Sequence, residues 1–348
     1  MNCCIHKSAW PVLLAALALL VAGVAPAGAA GVDKTLDSYS RPGQLVDIGG
    51  RRLNLRCSGH GAPTVILDIG LGETSLAWRK VQPAIARMTR VCSYDRAGFA
   101  FSDAGPLPRD GRAEADDLHA LVRAAKLRTP LVLVGHSLGS VIARIYANLH
   151  RDEVAGIVVV DYPAYDFDLH EPAADALQNR MNREDLQYGP YRACAEAARA
   201  GLLDPAGKTS SKACKGIPPK PPEFSDKLYA SVRANMAKPR YWQALIAEKE
   251  SWVGATPAGL RATQRSYGAL PLTILAADGS NAYLPADLRK MMDDAWAASY
   301  RRLAALSTRS RIVTVTHSSH LMYLDRPDAI VDAVRDMLGE VRRRRSGK

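Results

Sequence analysis

Apolar residues recur along this chain with two periods. "PTVILDIG" (63–70), "PLVLVGHS" (130–137), "VAGIVVVD" (154–161) and "LPLTILAAD" (270–278) are short, nearly continuous apolar runs. Such runs predict strands buried on both faces of a sheet. "RIVTVTH" (311–317) reads as a further strand, and "RVCSYDRAGFAFSD" (90–103) as a strand running into a loop. "QLVDIGGRRLNLRCSG" (44–59) reads as a hairpin around Gly49-Gly50. Helical spacing appears over 76–88, 113–126, 139–150, 296–306 and 327–338.

Strands alternating with helices predict βαβ units and a mostly parallel sheet. The alternation stops between about 164 and 265, where helical stretches flank the Pro-rich "KGIPPKPPEF" (215–224) and no buried strand is evident. The organisation expected is an α/β core over 31–163 and 266–348, interrupted by a helical lid insertion over 164–265. The Pro-rich stretch reads as a surface crossing.

Residues 1–30 stand apart. Lys7 precedes an apolar stretch from Trp10 to Val24, and the small residues "APAGAAG" follow. This is the pattern of a signal peptide cleaved after Ala29 or Ala30. The stretch is short for a membrane span, and no basic cluster follows it. Cys3 and Cys4 precede the apolar stretch, so neither is a lipobox cysteine. The mature chain is therefore expected in the periplasm or outside the cell. It keeps Cys57, Cys92, Cys194 and Cys214, which an oxidising compartment would pair in one of three ways.

Lysine and arginine number 46 against 35 acidic residues, a formal charge of +11. Part of the excess lies in the tail "VRRRRSGK" (341–348). Such a cluster could make weak contact with anionic lipid, nucleic acid or cell-wall polymer. No aromatic residues alternate with these arginines and no nucleic-acid motif appears elsewhere, so the tail reads as a solvated, frayed end. No nucleic-acid partner and no stable membrane anchor are expected.

The most specific feature is Gly135-His136-Ser137-Leu138-Gly139, a G-x-S-x-G between a strand and a helix. A serine on that tight turn is forced into strained backbone geometry, and its hydroxyl projects from the top of the sheet. Side chains at the two glycine positions would collide with the neighbouring strand and helix. The helix that follows aims its first N–H groups at the space above Ser137, where they would stabilise negative charge. Ser137 is thus the candidate nucleophile.

On these residues, with "DIGLGETSLAWRKVQPAIA", "VCSYDRAGFAFSD", "VAGIVVVD" and "HLMYLDRPDAIVDAV", the chain resembles the α/β-hydrolase superfamily, and more narrowly its esterase-like members. The resemblance covers about 45 to 340 and is weakest over the insertion. It implies an eight-stranded sheet, a helical lid and no cofactor or metal.

It also implies roles for particular residues. His317 and His320 both follow the last strand. His320, with Asp325 and Pro327 behind it, matches the family's base, and His317 at the strand end is expected to face the core or support the loop. The acid that fixes the base's tautomer falls between nucleophile and base in the chain, which leaves Asp161 or Asp278. Asp161 ends a strand cleanly. Asp278 arrives early for the family's later location, where Ser280 falls instead. The oxyanion donors are expected to be the backbone N–H groups of Leu138 and Leu71. The family usually has His-Gly before the second donor, and this chain has Ile69-Gly70. Asp95 and Arg96 read as a hydrogen-bonded turn supporting the site's loops. His136 is expected beside the site, and His60, His119, His150 and His170 at the surface. The family's strand order places Cys57 beside Cys92, and Cys194 with Cys214 would then close a loop inside the lid.

The function expected is that of an exported serine hydrolase cleaving a small-molecule carboxylic ester. Amidase, aminopeptidase or cofactor-free haloperoxidase chemistry on the same triad are alternatives, as is a non-catalytic binding protein on the same fold. An aminopeptidase would need an acidic anchor, for which Glu184, Asp185 and Glu196 are available. Dehalogenases and epoxide hydrolases of this fold need an aspartate where Ser137 stands. Tyr188, Tyr191, Tyr229, Tyr241 and Trp242 read as lid core rather than as an acyl pocket.

Overall fold

The computed structural model describes residues 31–162, 189–204, 217–252 and 254–346, together with Pro172, Ala176 and Cys214. The expected signal segment, His170, Glu184, Asp185 and Tyr188 lie outside the described residues.

Eight strands form one sheet: β1 (Gln44–Asp47), β2 (Arg52–Ser58), β3 (Val65–Asp68), β4 (Val91–Tyr94), β5 (Leu131–His136), β6 (Val154–Val160), β7 (Leu272–Ala277) and β8 (Ser310–Val315). Their spatial order is β1-β2-β4-β3-β5-β6-β7-β8. β1 and β2 pair antiparallel, β2 joins β4 antiparallel, and every pairing from β4 to β8 is parallel.

The alternation of side chains along the central strands builds a core on each face. Leu131 and Leu133 of β5 and Ile157 and Val159 of β6 pack into one layer. That layer contains α2 (Gly111–Ala124), α3 (Leu138–Leu149) and α8 (Ala286–Ala304). Val132, Val134, Val158 and Val160 face the other way. They meet α1 (Gln82–Ala86) and α10 (Pro327–Ser346). Burial on both faces is what makes these runs continuously apolar.

The helix expected over 76–88 is instead a 3₁₀ turn, Ser75–Lys80, followed by α1. Pro83 explains the break: it has no N–H to continue a helix but is tolerated in the first turn, where it stands. The C-terminus also differs from the frayed end expected. α10 runs to Ser346, Arg342 Nη2 donates to Met88 O at 2.9 Å, and Arg344 Nη1 to Ala269 O at 2.6 Å. Guanidinium groups at a helix C-terminus also suit its dipole.

Between β6 and β7 the described residues are helical: α4 (Gly189–Arg199), α5 (Asp226–Met236), α6 (Pro239–Trp252) and α7 (Ala255–Thr263). Phe99, from the loop after β4, joins Cys194, Leu203, Met236, Trp242 and Leu245 in a cap core. Trp242 is fully buried, and the Tyr191 and Tyr241 rings pack against it at 6.4 and 5.0 Å. These aromatics therefore hold the cap together. Disulfides join Cys57 to Cys92 across the paired strands β2 and β4, and Cys194 to Cys214 within the cap. Among the described residues, no helix is long and apolar enough to cross a membrane.

Candidate active site

Strand order reverses at β3, which lies between β4 and β5. Crevices at such switch points, beyond the carboxyl ends of parallel strands, are where α/β sheets place their sites. Here the register sets Asp68, the last residue of β3, beside Gly135 of β5. The loop after β3 and the turn after β5 are thereby neighbours.

Ser137 occupies that turn with φ 51° and ψ −120°, a conformation L-residues rarely adopt. The two glycines make it possible. A Cβ on Gly135 would lie 2.3 Å from Gly139 O and 2.4 Å from Ser140 N. One on Gly139 would lie 2.4 Å from Asp68 O and 2.8 Å from Ile69 O. The collisions expected with helix and strand are thus with fixed backbone on both sides. Ser140 Oγ donates to Gly135 O at 2.5 Å and ties the turn shut. Leu138 is the first residue of α3, so its N–H belongs to the first-turn amides that find no partner within the helix.

Of the two candidate histidines, His320 enters the site. Its Nδ1 lies 2.7 Å from Asp161 Oδ2. His317 is exposed at φ 57° and does not face the core. The two aspartates separate as sharply. Asp161 is fully buried at the end of β6, with φ 41°. Its Oδ1 accepts the Ala277 N–H at 2.9 Å and the Tyr300 hydroxyl at 3.2 Å, and its Oδ2 also accepts the Ser280 hydroxyl at 2.5 Å. Asp278 instead accepts the backbone N–H groups of His317 and Ser318 at 3.1 and 3.2 Å. It shapes the turn that carries His320.

With Nδ1 directed to Asp161, Nε2 is the ring nitrogen left for proton transfer. Burial disfavours a charged ring, but the Asp161 hydrogen bond and charge, with a smaller contribution from Glu73, outweigh it and raise the His320 pKa.

A second set of contacts braces the same histidine. His136, buried at the variable position of the elbow, donates from Nε2 to the His320 carbonyl oxygen at 2.7 Å. Burial and the adjacent His320 ring hold the His136 pKa well below the usual range, so it stays neutral. Its Nδ1 faces Glu73 Oε2 at 3.8 Å. Glu73 Oε1 accepts the Tyr323 hydroxyl, which links the loop after β3 to the segment carrying His320. Gly70 leaves room for this group, since a Cβ there would lie 2.7 Å from Glu73 Oε2 and 3.0 Å from His136 Nδ1. Glu73 thus ties the loop after β3, and His136 the elbow, to the segment that carries His320.

Leu71 lies half-buried in the loop after β3, which Arg96 supports. Arg96 is 1% exposed and donates to Asp68 Oδ1, Ile69 O and Gly70 O at 2.9, 2.7 and 2.6 Å. Asp95 holds Asn54 and the Ser75 N–H. Both act as the loop supports expected of them. Burial lifts the Asp68 pKa to about 6, against the opposing pull of Arg96. Glu73, Tyr300, Tyr323 and the Asp161 contact of Ser280 were not legible in the sequence; the polar "ET" ending a glycine-rich loop was the available signal for the first. Glu196 is exposed on the cap, and His119 stacks on His150 at 3.7 Å, far along α2 and α3 from this site.

Comparison with known proteins agrees with this architecture. A family model described as the alpha/beta hydrolase fold matches residues 63–204. Over 132 residues the chain is 36% identical to the probable transporter efuK of Hormonema carpetanum, covering 36% of this chain and 19% of that protein. Over 243 residues it is 27% identical to the 2-(acetamidomethylene)succinate hydrolase of Mesorhizobium japonicum, covering 66% and 85%. The chain thus spans less than two thirds of the first relative and most of the second. The structure of a thermophilic esterase from Thermogutta terrifontis superposes with a TM-score of 0.53 at 20% identity, covering 86% of this chain and 98% of the esterase. The chain has the α/β-hydrolase fold, and residues 63–204 match the model of that family.

Proposed function

We propose that this protein is an exported serine hydrolase that cleaves a carboxylic ester through Ser137, His320 and Asp161. The observation that carries the reading is the 2.7 Å contact of Asp161 with His320 beside the strained turn of Ser137. Asp161 holds the Nδ1–H tautomer, so Nε2 takes the Ser137 proton as Oγ attacks the ester carbonyl. The negative charge that develops on the carbonyl oxygen is met by the N–H groups of Leu71 and Leu138. His320 returns the proton to the leaving alcohol, and an acyl group stays on Ser137. Water, activated by the same histidine, releases it.

The 2-(acetamidomethylene)succinate hydrolase among the similar proteins supports a hydrolytic reading. Two disulfides fit an oxidising compartment, and the signal-like first thirty residues support export. A panel of p-nitrophenyl esters of graded acyl length tests the proposal. Hydrolysis by the wild type and its loss in Ser137→Ala are expected. Equal turnover by both would remove Ser137 from the reaction.

A further inference from the structure

The loop that offers Leu71 is fixed from the cap as well as from the sheet. Glu248 lies on α6, 176 residues along the chain from Gly72, and is 2% exposed. Its Oε1 accepts Arg96 Nε at 2.7 Å. Its Oε2 accepts the Gly72 N–H at 2.8 Å and Arg96 Nη2 at 3.2 Å. The same Nη2 donates to Gly70 O.

The peptide group is planar and trans, so its C=O and N–H point in opposite directions. Gly70 O and the Leu71 N–H belong to one such plane. Arg96, by holding Gly70 O, aims the Leu71 N–H the other way. The next plane contains the Gly72 N–H, which Glu248 holds directly. Both peptide planes flanking the Leu71 Cα are thus fixed by one buried ion pair, half of which belongs to the cap.

We infer that Glu248 is a positioning residue that sets the direction of the Leu71 N–H, through Arg96 on one side and Gly72 on the other. The cap then does more than cover the site: its seating on the core completes the oxyanion donor. This rests on the ester-hydrolase reading above.

Glu248→Gln tests it. A carboxamide has one oxygen, so it cannot accept from both Arg96 Nε and the Gly72 N–H; its NH₂ must oppose one of these donors. Misaligned groups of this kind cost catalysis up to about 100-fold. The expected result is a kcat lower by about 10- to 100-fold with KM within about threefold, since the interaction forms only in the transition state. Hydrogen exchange of the Gly72 amide should quicken at least about tenfold. A boronic acid, which places a tetrahedral oxygen in the hole, should bind more weakly in step with kcat. Glu250→Gln, on the exposed side of the same helix, should change none of these. Should Glu248→Gln fail to fold, Glu248→Asp makes the same comparison by withdrawing the carboxylate one methylene. Unchanged Gly72 exchange overturns the inference, and so does faster exchange with unchanged kcat and boronate affinity. A wild type whose Ser137 takes no part in hydrolysis would instead remove the reaction itself, and the positioning role with it.

Discussion

Asp161 and His320 meet at 2.7 Å although 159 residues separate them, and three further donors converge on the same carboxylate. Asp278, one strand over, is occupied with the amides of His317 and Ser318. Asp161→Asn should therefore lower kcat by about 10³- to 10⁴-fold, because an amide favours the wrong imidazole tautomer. Asp278→Asn should leave kcat within a few fold and cost about 1–2 kcal/mol of stability through weaker bonds to two amides. Steady-state kinetics and thermal unfolding of the pair separate the roles. Loss of turnover in Asp278→Asn with activity kept in Asp161→Asn would reverse the assignment.

The raised His320 pKa fixes the sign of the pH dependence. In the proposed mechanism His320 must be neutral to accept the Ser137 proton, so kcat/KM should fall as pH drops through a midpoint above the ordinary histidine value of 6.5. Asp161→Asn removes the largest favourable influence on the charged ring, and Glu73→Gln a smaller one. Both should move that acid limb to lower pH, Asp161→Asn further. A pH–rate profile on a single ester measures all three, and an unmoved limb in Asp161→Asn would contradict the linkage.

Much of this was legible locally. The apolar runs of β3, β5 and β6 announced a doubly covered sheet, and the glycines around Ser137 announced the elbow, because both patterns arise from sterics within a few residues. The partner of His320 was legible only as a choice between Asp161 and Asp278. Asp161 and Asp278 end neighbouring strands, and only the chain path shows which carboxylate reaches His320. The departure at Ser280 was visible in the sequence, but its consequence was not: that hydroxyl, standing near the family's later acid position, hydrogen-bonds Asp161. Pro83 gave a local reason to shorten the helix at 76–88. Glu248 gave none, since its partners Gly72 and Arg96 lie in other parts of the chain.

The elbow glycines should be intolerant for a backbone reason. Gly135→Ala forces β5 away from α3 and should cost about 1–3 kcal/mol together with most activity. Gly259, in α7, has only Arg112 Cβ at 3.9 Å near its would-be Cβ. Gly259→Ala should be neutral or gain about 0.5–1 kcal/mol. Chemical denaturation compares them, and equal stabilities would show that the turn relaxes freely.

The disulfides should stabilise by restricting the unfolded chain. Cys57 and Cys92 close a stretch of 35 residues. Their joint replacement by alanine should cost about 2–5 kcal/mol, read as a lower Tm without reductant. An unchanged Tm, or free thiols on peptide mapping of the purified protein, would contradict the pairing.

The most direct test of the central claim labels the purified protein with a fluorophosphonate, beside Ser137→Ala, and maps the adduct by mass. The probe reacts with a serine that a neighbouring base activates, and it requires no knowledge of the substrate. A single adduct on Ser137, absent from the variant, is the predicted result. A folded wild type that takes no adduct, or takes it on another serine, would contradict the account.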